Sequence, residues 1–316
     1  MGSARQRKGR PINGWLIVDK DDGATSTWVV GAVKRATQAQ KAGHGGTLDP
    51  LATGILPIAL GEATKTVPYV MDSTKAYRFT VRFGEARDTD DAEGAVTATS
   101  DRRPSTAEIE AALPAFNGTI RQRPPSYAAV KIQGERAYDI ARRGETVELA
   151  AREIRIDRLD LVERPDPDHA VFRMSCGKGA YVRAIARDLG RVLGCHAHVS
   201  ALRRTEVGGF NTGNAITLDG LARIVEDDSL PQVLVPMTTA LAGIPALAVT
   251  EPQALRLRSG QSVRMTPALV GDEAGEAATV RAMRAGELIA LARLEGMELS
   301  PVRVFHQEPM PTGNRR

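Results

Sequence analysis

A glycine-rich loop that presents one carboxylate is the segment of this sequence best suited to chemistry. Asp49 comes shortly after Gly43, Gly45 and Gly46 and is followed directly by Pro50. The glycines let the backbone approach another molecule closely, and the proline restricts Asp49 to an extended conformation that does not occur inside a helix. We therefore predict a stiff loop that presents the Asp49 carboxylate. An Asp-Pro turn or a helix cap is the structural alternative.

Three other segments resemble functional motifs but lack the spacing that those motifs require. Lys178 stands between two glycines at a predicted helix start, yet the full phosphate-loop pattern is absent. The acidic run Asp88–Gly94 has its glycine in the wrong position for a calcium loop, and we interpret it as a charged surface turn. The segment Cys195–His198 lacks a second ligand pair at zinc spacing. We therefore expect neither nucleotide hydrolysis nor a metal site.

The composition is that of a soluble globular protein. The 316 residues are 42% hydrophobic and 25% charged. No apolar run reaches the roughly 18 residues of a membrane helix, and no apolar stretch follows the basic first residues. Two cysteines, Cys176 and Cys195, are too few for a disulfide framework. We expect a cytoplasmic protein without membrane association.

The basic residues are distributed in small, separated groups, although the net charge is only +4. A protein that contacts a phosphate backbone at several points has this distribution. Scattered solvated arginines would look the same, so charge alone leaves the partner open. The groups are Arg5, Arg7, Lys8 and Arg10; Arg102 and Arg103; Arg121 and Arg123; Arg142 and Arg143; and Arg203 and Arg204.

Local periodicity predicts the elements that must hold the Asp49 loop. A short apolar strand over Gly14–Lys20 is followed by a helix that Ser26 or Thr27 caps. Strict alternation over Ala76–Phe83 predicts a half-buried strand with Tyr77 near its start.

Later in the same first region, which extends to about Ile140, Ser105 begins a capping box and therefore a helix. Two further regions follow. Residues 153–210 are predicted as strand, strand, helix, strand, with the helix on the apolar spacing of Val182, Ile185 and Leu189. Beyond Ile244, short strands separated by glycine turns predict a small β-rich module.

Ordered blocks of this sequence resemble the TruB family of tRNA pseudouridine synthases. The Asp49 loop, with Gly61–Lys65 behind it, carries the signature. The further blocks are Asn13–Lys20, Lys75–Arg78, Asp88–Gly94, Pro124–Lys131, Gly177–Arg183 and Gly194–Arg204. They span about two thirds of the chain. Asp21 departs from the family pattern, because a proline commonly follows the Asp-Lys pair there, and the carboxy-terminal region matches only loosely.

The resemblance implies isomerisation of the uridine at position 55 in the tRNA T loop, without a cofactor or metal. Asp49 would be the nucleophile, attacking either the sugar or the uracil ring, and the target base would be flipped out of its stack. Arg183 would be the cation that keeps Asp49 ionised, although a solvated helix-surface arginine is the alternative. Tyr77 would stack on the uracil, although a core aromatic is the alternative.

The resemblance also assigns substrate-binding residues. Tyr181 would give an aromatic contact and Leu202 an apolar wall. His44 would insert into the T loop where the base had been. Lys20 would hold either a phosphate or the active-site backbone.

The implied architecture is an α/β (α+β) pseudouridine synthase fold. We expect a mixed, largely antiparallel sheet with a central active-site cleft over residues 12–243, and a small β-barrel resembling the PUA module over 244–310. Residues 1–11 and 311–316 would be tails. The partner would be the T arm of tRNA, and we expect a monomer. Another aspartate-dependent enzyme such as a transglycosylase, or an RNA-binding and folding factor, is the rival interpretation.

Overall fold

The computed structural model describes residues 9–128, 131–132, 135–136, 143, 149–266 and 278–306. Residues 1–8 and 311–316, which make up most of the predicted tails, lie outside these ranges. The described residues form a nine-stranded main sheet, a five-stranded second sheet and two short hairpins.

The elements are as follows. Strands β1 to β7 are Gly14–Lys20, Ala42–His44, Ala52–Leu60, Lys75–Phe83, Glu85–Arg87, Val96–Thr99 and Gly118–Gln122. Strands β8 to β13 are Lys131–Ile132, Glu135–Arg136, Arg152–Asp166, His169–Cys176, Ala197–Val207 and Phe210–Asn211. Strands β14 to β18 are Ala246–Ala248, Val263–Arg264, Ala278–Arg284, Glu287–Glu295 and Glu298–Val304. Helices α1 to α7 are Ser26–Thr37, Val67–Asp72, Thr106–Ala112, Val182–Val192, Leu218–Glu226, Leu230–Val233 and Glu251–Arg258. The 3₁₀ segments are Gly61–Thr66, Leu113–Phe116, Thr212–Asn214 and Met237–Leu241.

The main sheet runs in the order β1-β3-β12-β4-β11-β10-β7, with β2 also paired to β3 and β13 to β12. Strands β3 and β12 are parallel, and the other paired strands of this sheet are antiparallel. The prediction of a mixed, largely antiparallel sheet is confirmed. Because β3, β12 and β4 are adjacent at its centre, side chains from three distant parts of the sequence meet there.

Local sequence accounts for most of these elements. Alternation in β4 buries Phe79, Val81 and Phe83 and leaves Arg78 exposed, so one face of the strand packs on the core. The capping box that begins α3 is present as predicted. The predicted cap of α1 is wrong, because the Thr25 hydroxyl accepts the bond from the backbone of the third helical residue. Ser26 is instead buried against the Asp49 loop.

Gly54 lies where β3 meets β12 and has a φ of +96°. A Cβ added there would lie 2.2 Å from the carbonyl oxygen of Arg204, the residue opposite it in the parallel pair. We expect Gly54→Ala to lower the free energy of unfolding by at least about 2 kcal/mol, because backbone must move and the left-handed conformation is strained. Urea denaturation followed by circular dichroism measures the change.

Gly118→Ala is the matched control for this prediction. Gly118 also has a positive φ, of +86°, but a Cβ added there would meet no other atom within 4 Å. In Gly118→Ala the free energy of unfolding should fall by only about 1 kcal/mol, the cost of placing alanine in the left-handed conformation. Equal losses in the two variants would contradict the steric explanation.

The second sheet runs in the order β14-β16-β17-β18-β15 and has its own apolar core. It packs on the main sheet through a further apolar cluster, in which Leu291 and Phe305 join Trp15 and Phe210. Lys65 Nζ also donates to the carbonyl oxygen of Val304 at 2.7 Å. The second sheet is therefore attached to the main sheet and its flanking segments by both apolar and polar contacts.

Candidate active site

The Asp49 loop connects β2 to β3 and is held by hydrogen bonds on both sides of the aspartate. Ser26 Oγ accepts from the Leu48 amide at 2.8 Å and donates to the Leu48 carbonyl oxygen at 2.9 Å. The Pro50 carbonyl accepts from the Gly23 amide at 3.0 Å. These bonds fix the backbone before and after Asp49, so the position of its carboxylate is set by contacts outside the loop.

Lys20 is buried beneath this loop. Its Nζ donates to the carbonyl oxygens of Asp21, Ala24 and Pro50 at 2.8, 2.7 and 2.9 Å. Burial lowers the pKa of Lys20 from its ordinary value. Three bonds to backbone favour the alternative in which Lys20 holds the active-site backbone rather than a phosphate.

Arg183, the second residue of α4, reaches Asp49 across the cleft. Its Nε lies 2.9 Å from Asp49 Oδ2, and the Arg183 side chain is only 5% exposed. The terminal nitrogens donate to the carbonyl oxygens of Thr89 and Tyr127, both at 2.9 Å. A solvated surface arginine is therefore excluded, and the guanidinium is held in one orientation.

The acidic run that the sequence suggested to be a surface turn is partly buried, and that prediction is wrong. Asp91 is 2% exposed and lies 3.4 Å from Arg183, and Asp90 is 9% exposed and lies 2.8 Å from Arg187. Arg183 and Arg187 are four residues apart on one helix and so share a face. Two adjacent acids and two arginines at this spacing are the signal that could have revealed the pairing.

The environment of Asp49 acts on its ionisation in both directions. The side chain remains 36% exposed to the cleft, but desolvation by the surrounding protein raises the pKa of Asp49 above its ordinary value. The Arg183 charge is the largest opposing effect, and the neighbouring Asp91 adds to the rise. Arg183 therefore favours the ionised carboxylate in a site that otherwise disfavours it.

The cleft beside Asp49 has a volume of about 310 Å³, within the range of about 300–1,000 Å³ found for small-molecule sites. Tyr77, Tyr181, Arg183 and Leu202 line it together with Asp49. Burial raises the pKa of the Tyr77 phenol. Leu202 is 7% exposed and gives the cleft an apolar wall.

Tyr181 is fixed from two sides. Its amide donates to Gln122 Oε1 at 2.9 Å, and Gln122 Nε2 donates back to the Tyr181 carbonyl at 3.1 Å. The guanidinium of Arg152 lies 5.2 Å from the centre of the Tyr181 ring. The ring is thus held at the cleft with a cation over one face.

His44 lies outside the lining of this cleft, as Lys20 does. It ends β2, and its Nδ1 accepts from the Gly46 amide at 3.3 Å. The structure thus brings five of the seven predicted site residues into one cleft and leaves the other two beside or beneath the loop.

Sequence reasoning missed the burial of Arg204, which it grouped with Arg203 among the candidate contacts to a phosphate backbone. Arg204 is 2% exposed and donates to three backbone carbonyls of the protein and to the Tyr77 side chain, whereas Arg203 pairs with Asp19 at 2.6 Å. The Arg204 guanidinium is thus engaged within the protein rather than presented to solvent. Strand alternation places the two neighbours on opposite faces of β12, but which face is buried depends on what the sheet packs against, and the sequence does not show that.

Two negative findings concern only the described part of the chain. There, no three His, Cys, Asp or Glu side chains come together as a metal site. In the same residues, no helix is both long enough and apolar enough to cross a membrane.

A partly exposed carboxylate paired with a buried arginine, in a cleft lined by two tyrosines, is a candidate enzyme active site. The family model described as TruB family pseudouridylate synthase (N terminal domain) matches residues 34–182, and the tRNA pseudouridylate synthase B C-terminal domain model matches residues 183–242. The chain belongs to the TruB family of pseudouridylate synthases.

Individual relatives match nearly the whole chain. It is 54% identical over 307 residues to tRNA pseudouridine synthase B of Gluconacetobacter diazotrophicus, covering 95% of this chain and 100% of that protein. It is also 54% identical over 314 residues to tRNA pseudouridine synthase B of Bradyrhizobium diazoefficiens, covering 96% of this chain and 89% of that protein. A chain in the crystal structure of a Cbf5-Nop10-Gar1 complex superposes with a TM-score of 0.72 at 25% identity, covering 93% of this chain and 85% of that one.

Proposed function

We propose that this chain converts the uridine at position 55 in the T loop of tRNA into pseudouridine, with the Asp49 carboxylate as the nucleophile. The ion pair between Asp49 and Arg183, at 2.9 Å in a cleft of nucleobase size, is the observation that carries the proposal. The names of the curated relatives, tRNA pseudouridine synthase B, supply the reaction and the class of RNA.

The reaction is an isomerisation and needs no co-reactant. The bond between C1′ of the ribose and N1 of uracil breaks, the detached ring turns within the cleft, and C5 bonds to C1′. The proton of C5 leaves and N1 gains one, so the product has the same composition as the substrate. Asp49 acts by forming a covalent bond either to the sugar or to the ring, which divides one difficult step into two easier ones.

The cleft residues hold the flipped base during this sequence. Tyr77 stacks on the uracil, Leu202 closes the apolar side, and Tyr181 supplies a second aromatic contact. His44 enters the T loop at the position that the base has left. Lys20 acts on the loop backbone and not on the RNA. The apolar surfaces of Tyr77, Tyr181 and Leu202 give the detached ring something to pack against.

The two sheets suggest a division of labour. Residues 12–243 form the catalytic domain, and residues 244–310 form a PUA-like module that contacts the acceptor side of the tRNA. The T arm is the principal partner, recognised by shape and by the exposed basic groups. The protein acts as a monomer in the cytoplasm.

Tritium release tests the reaction directly. In tRNA that carries tritium at C5 of its uridines, isomerisation at position 55 releases the label to water, whereas a transglycosylase would release intact uracil. Mapping of the modified position by chemical derivatisation of pseudouridine then tests the site. Release of free labelled uracil, or modification confined to another position, would refute the proposal.

The pH dependence of the single-turnover rate follows from the raised pKa of Asp49. The nucleophile must be ionised, so the rate falls as pH decreases through that pKa. The acid limb of the profile is the fall in rate on its low-pH side. We expect its midpoint to lie above the ordinary aspartate pKa of about 3.9. Binding of tRNA measured over the same pH range separates this effect from weakened association. An acid limb at or below pH 4 would contradict the predicted environment of Asp49.

A further inference from the structure

Arg204 is a buried cation that joins the Asp49 loop to the centre of the main sheet. Its Nε donates to the Ile55 carbonyl oxygen at 2.8 Å, one terminal nitrogen donates to that of Thr47 at 3.3 Å, and the other donates to that of Gly46 at 3.0 Å. All three guanidinium nitrogens are thus engaged with backbone on either side of Asp49. The loop therefore has a fixed distance from β12.

Strand pairing places Arg204 between the two halves of the cleft. In the sheet it lies opposite Tyr77 of β4 on one side and opposite Gly54 of β3 on the other. The close approach of β3 at this point is possible because Gly54 has no side chain. One residue therefore sets the position of the loop carboxylate relative to the tyrosine strand.

We propose that Arg204 is a positioning residue for the isomerisation, which fixes the Asp49 loop against the strand that carries Tyr77. The inference rests on the proposed function. Arg204 borders the cleft but acts through Asp49 and Tyr77, because its guanidinium nitrogens are bonded to the protein itself. It differs from Arg183, which contacts the carboxylate itself.

A lysine could not replace this arrangement. A guanidinium has donors in a rigid planar fork, whereas an ammonium group is a single point at the end of a flexible chain. Lysine at this position would reach the Gly46–Thr47 carbonyls or that of Ile55, but would not hold both at the present distances. The charge would be retained while the geometry would be lost, so the two contributions can be separated by experiment.

The charge of Arg204 has its own effect. It lowers the pKa of Asp49 and of Tyr77 against the rise that burial causes in both. Removing the charge should raise the pKa of Asp49 and move the acid limb of the rate profile to higher pH. A residue that merely supports the fold would change the fraction of folded protein but not this limb.

The experiment compares Arg204→Lys and Arg204→Met with the wild type by single-turnover tritium release from tRNA, with the rate divided by the folded fraction from tRNA-binding titration. For Arg204→Lys we expect the rate constant at saturating enzyme to fall about 10- to 100-fold, the size of loss that misplacement of a reacting group by about 1 Å can cause. The enzyme concentration that gives half of the maximal single-turnover rate should change little. The acid limb should shift upward in the methionine variant and less in the lysine variant.

Arg164→Lys is the matched control. Arg164 also donates to a carbonyl oxygen, that of Pro167, but next to the β10–β11 turn at the far end of the sheet from the cleft. It should keep the wild-type rate and acid limb.

The outcomes separate this inference from the function on which it rests. A wild-type rate and acid limb in Arg204→Lys, or a change confined to half-saturation, would overturn the positioning role. If Arg204→Met does not fold, the lysine variant alone decides. Failure of the proposed function would look different. Either Asp49→Asn would still release tritium from the tRNA, or the wild type would release none. Both results would also remove any role for Arg204 in this reaction.

Discussion

Asp49→Asn is expected to lower the rate of pseudouridine formation by at least about 10⁴-fold, because it removes the nucleophile while keeping the shape of the side chain. Single-turnover tritium release from labelled tRNA measures the loss. Affinity for tRNA should remain close to that of the wild type, since binding depends on shape and phosphate contacts spread over the protein. This result would exclude the rival interpretation in which the chain only binds or folds RNA.

The same variant should be no less stable than the wild type at neutral pH. Burial raises the pKa of Asp49 in the folded state, so its contribution to stability is present below the pKa of the unfolded chain and is lost as pH rises through the folded pKa. A neutral amide avoids that loss. Thermal unfolding at pH 7 checks the point. Joint loss of turnover and tRNA binding, or retention of both, would argue against the role assigned to Asp49.

Arg183→Met should lower the single-turnover rate by about 10²- to 10³-fold at neutral pH, the cost found when one preorganised partner of a reacting group is removed. Without the guanidinium, Asp49 loses the largest effect that favours its ionised form, so its pKa rises further. The acid limb of the rate profile should therefore move upward. Buried Asp91 would also lose its cation, which should lower the free energy of unfolding by about 3–5 kcal/mol.

Arg187→Met is the matched control for this prediction. Arg187 lies on the same helix and pairs with Asp90 at 2.8 Å rather than with Asp49. The Arg187→Met variant should be less stable than the wild type. Its rate per folded molecule should fall much less than that of Arg183→Met, and the acid limb of its rate profile should not move upward. Similar kinetic losses in the two variants would show that Arg183 acts through the fold and not on the carboxylate.

The elements of the main sheet could be predicted because they depend on short-range patterns. The alternation from Ala76 to Phe83 identified β4, and the apolar spacing from Val182 to Leu189 identified α4. The strands beyond Ile244 were also expected, and a second sheet is present there. In each case, the residues that decide the element are neighbours in sequence, so the sequence alone contains the relevant pattern.

The surroundings of the cleft could not be predicted in the same way. Asp90 and Asp91 were interpreted as part of a charged surface turn because the segment lacks calcium-loop spacing, whereas their arginine partners follow about ninety residues later. Arg204 was grouped with Arg203 as an exposed basic pair because the two are neighbours in sequence. Burial of charge depends on partners that folding brings together, and such partners leave no local periodicity.

By itself, the sequence determined the family, the strands and helices, and the stiff loop on which Asp49 is presented, because glycine, proline and apolar spacing act over a few residues. Tertiary structure alone decided that Arg183 reaches Asp49, that Asp91 lies behind it, and that Arg204 faces inward. The reason is energetic: an ion pair forms in the interior only where desolvation of both charges is offset by partners from distant segments, and strand register decides which segments meet.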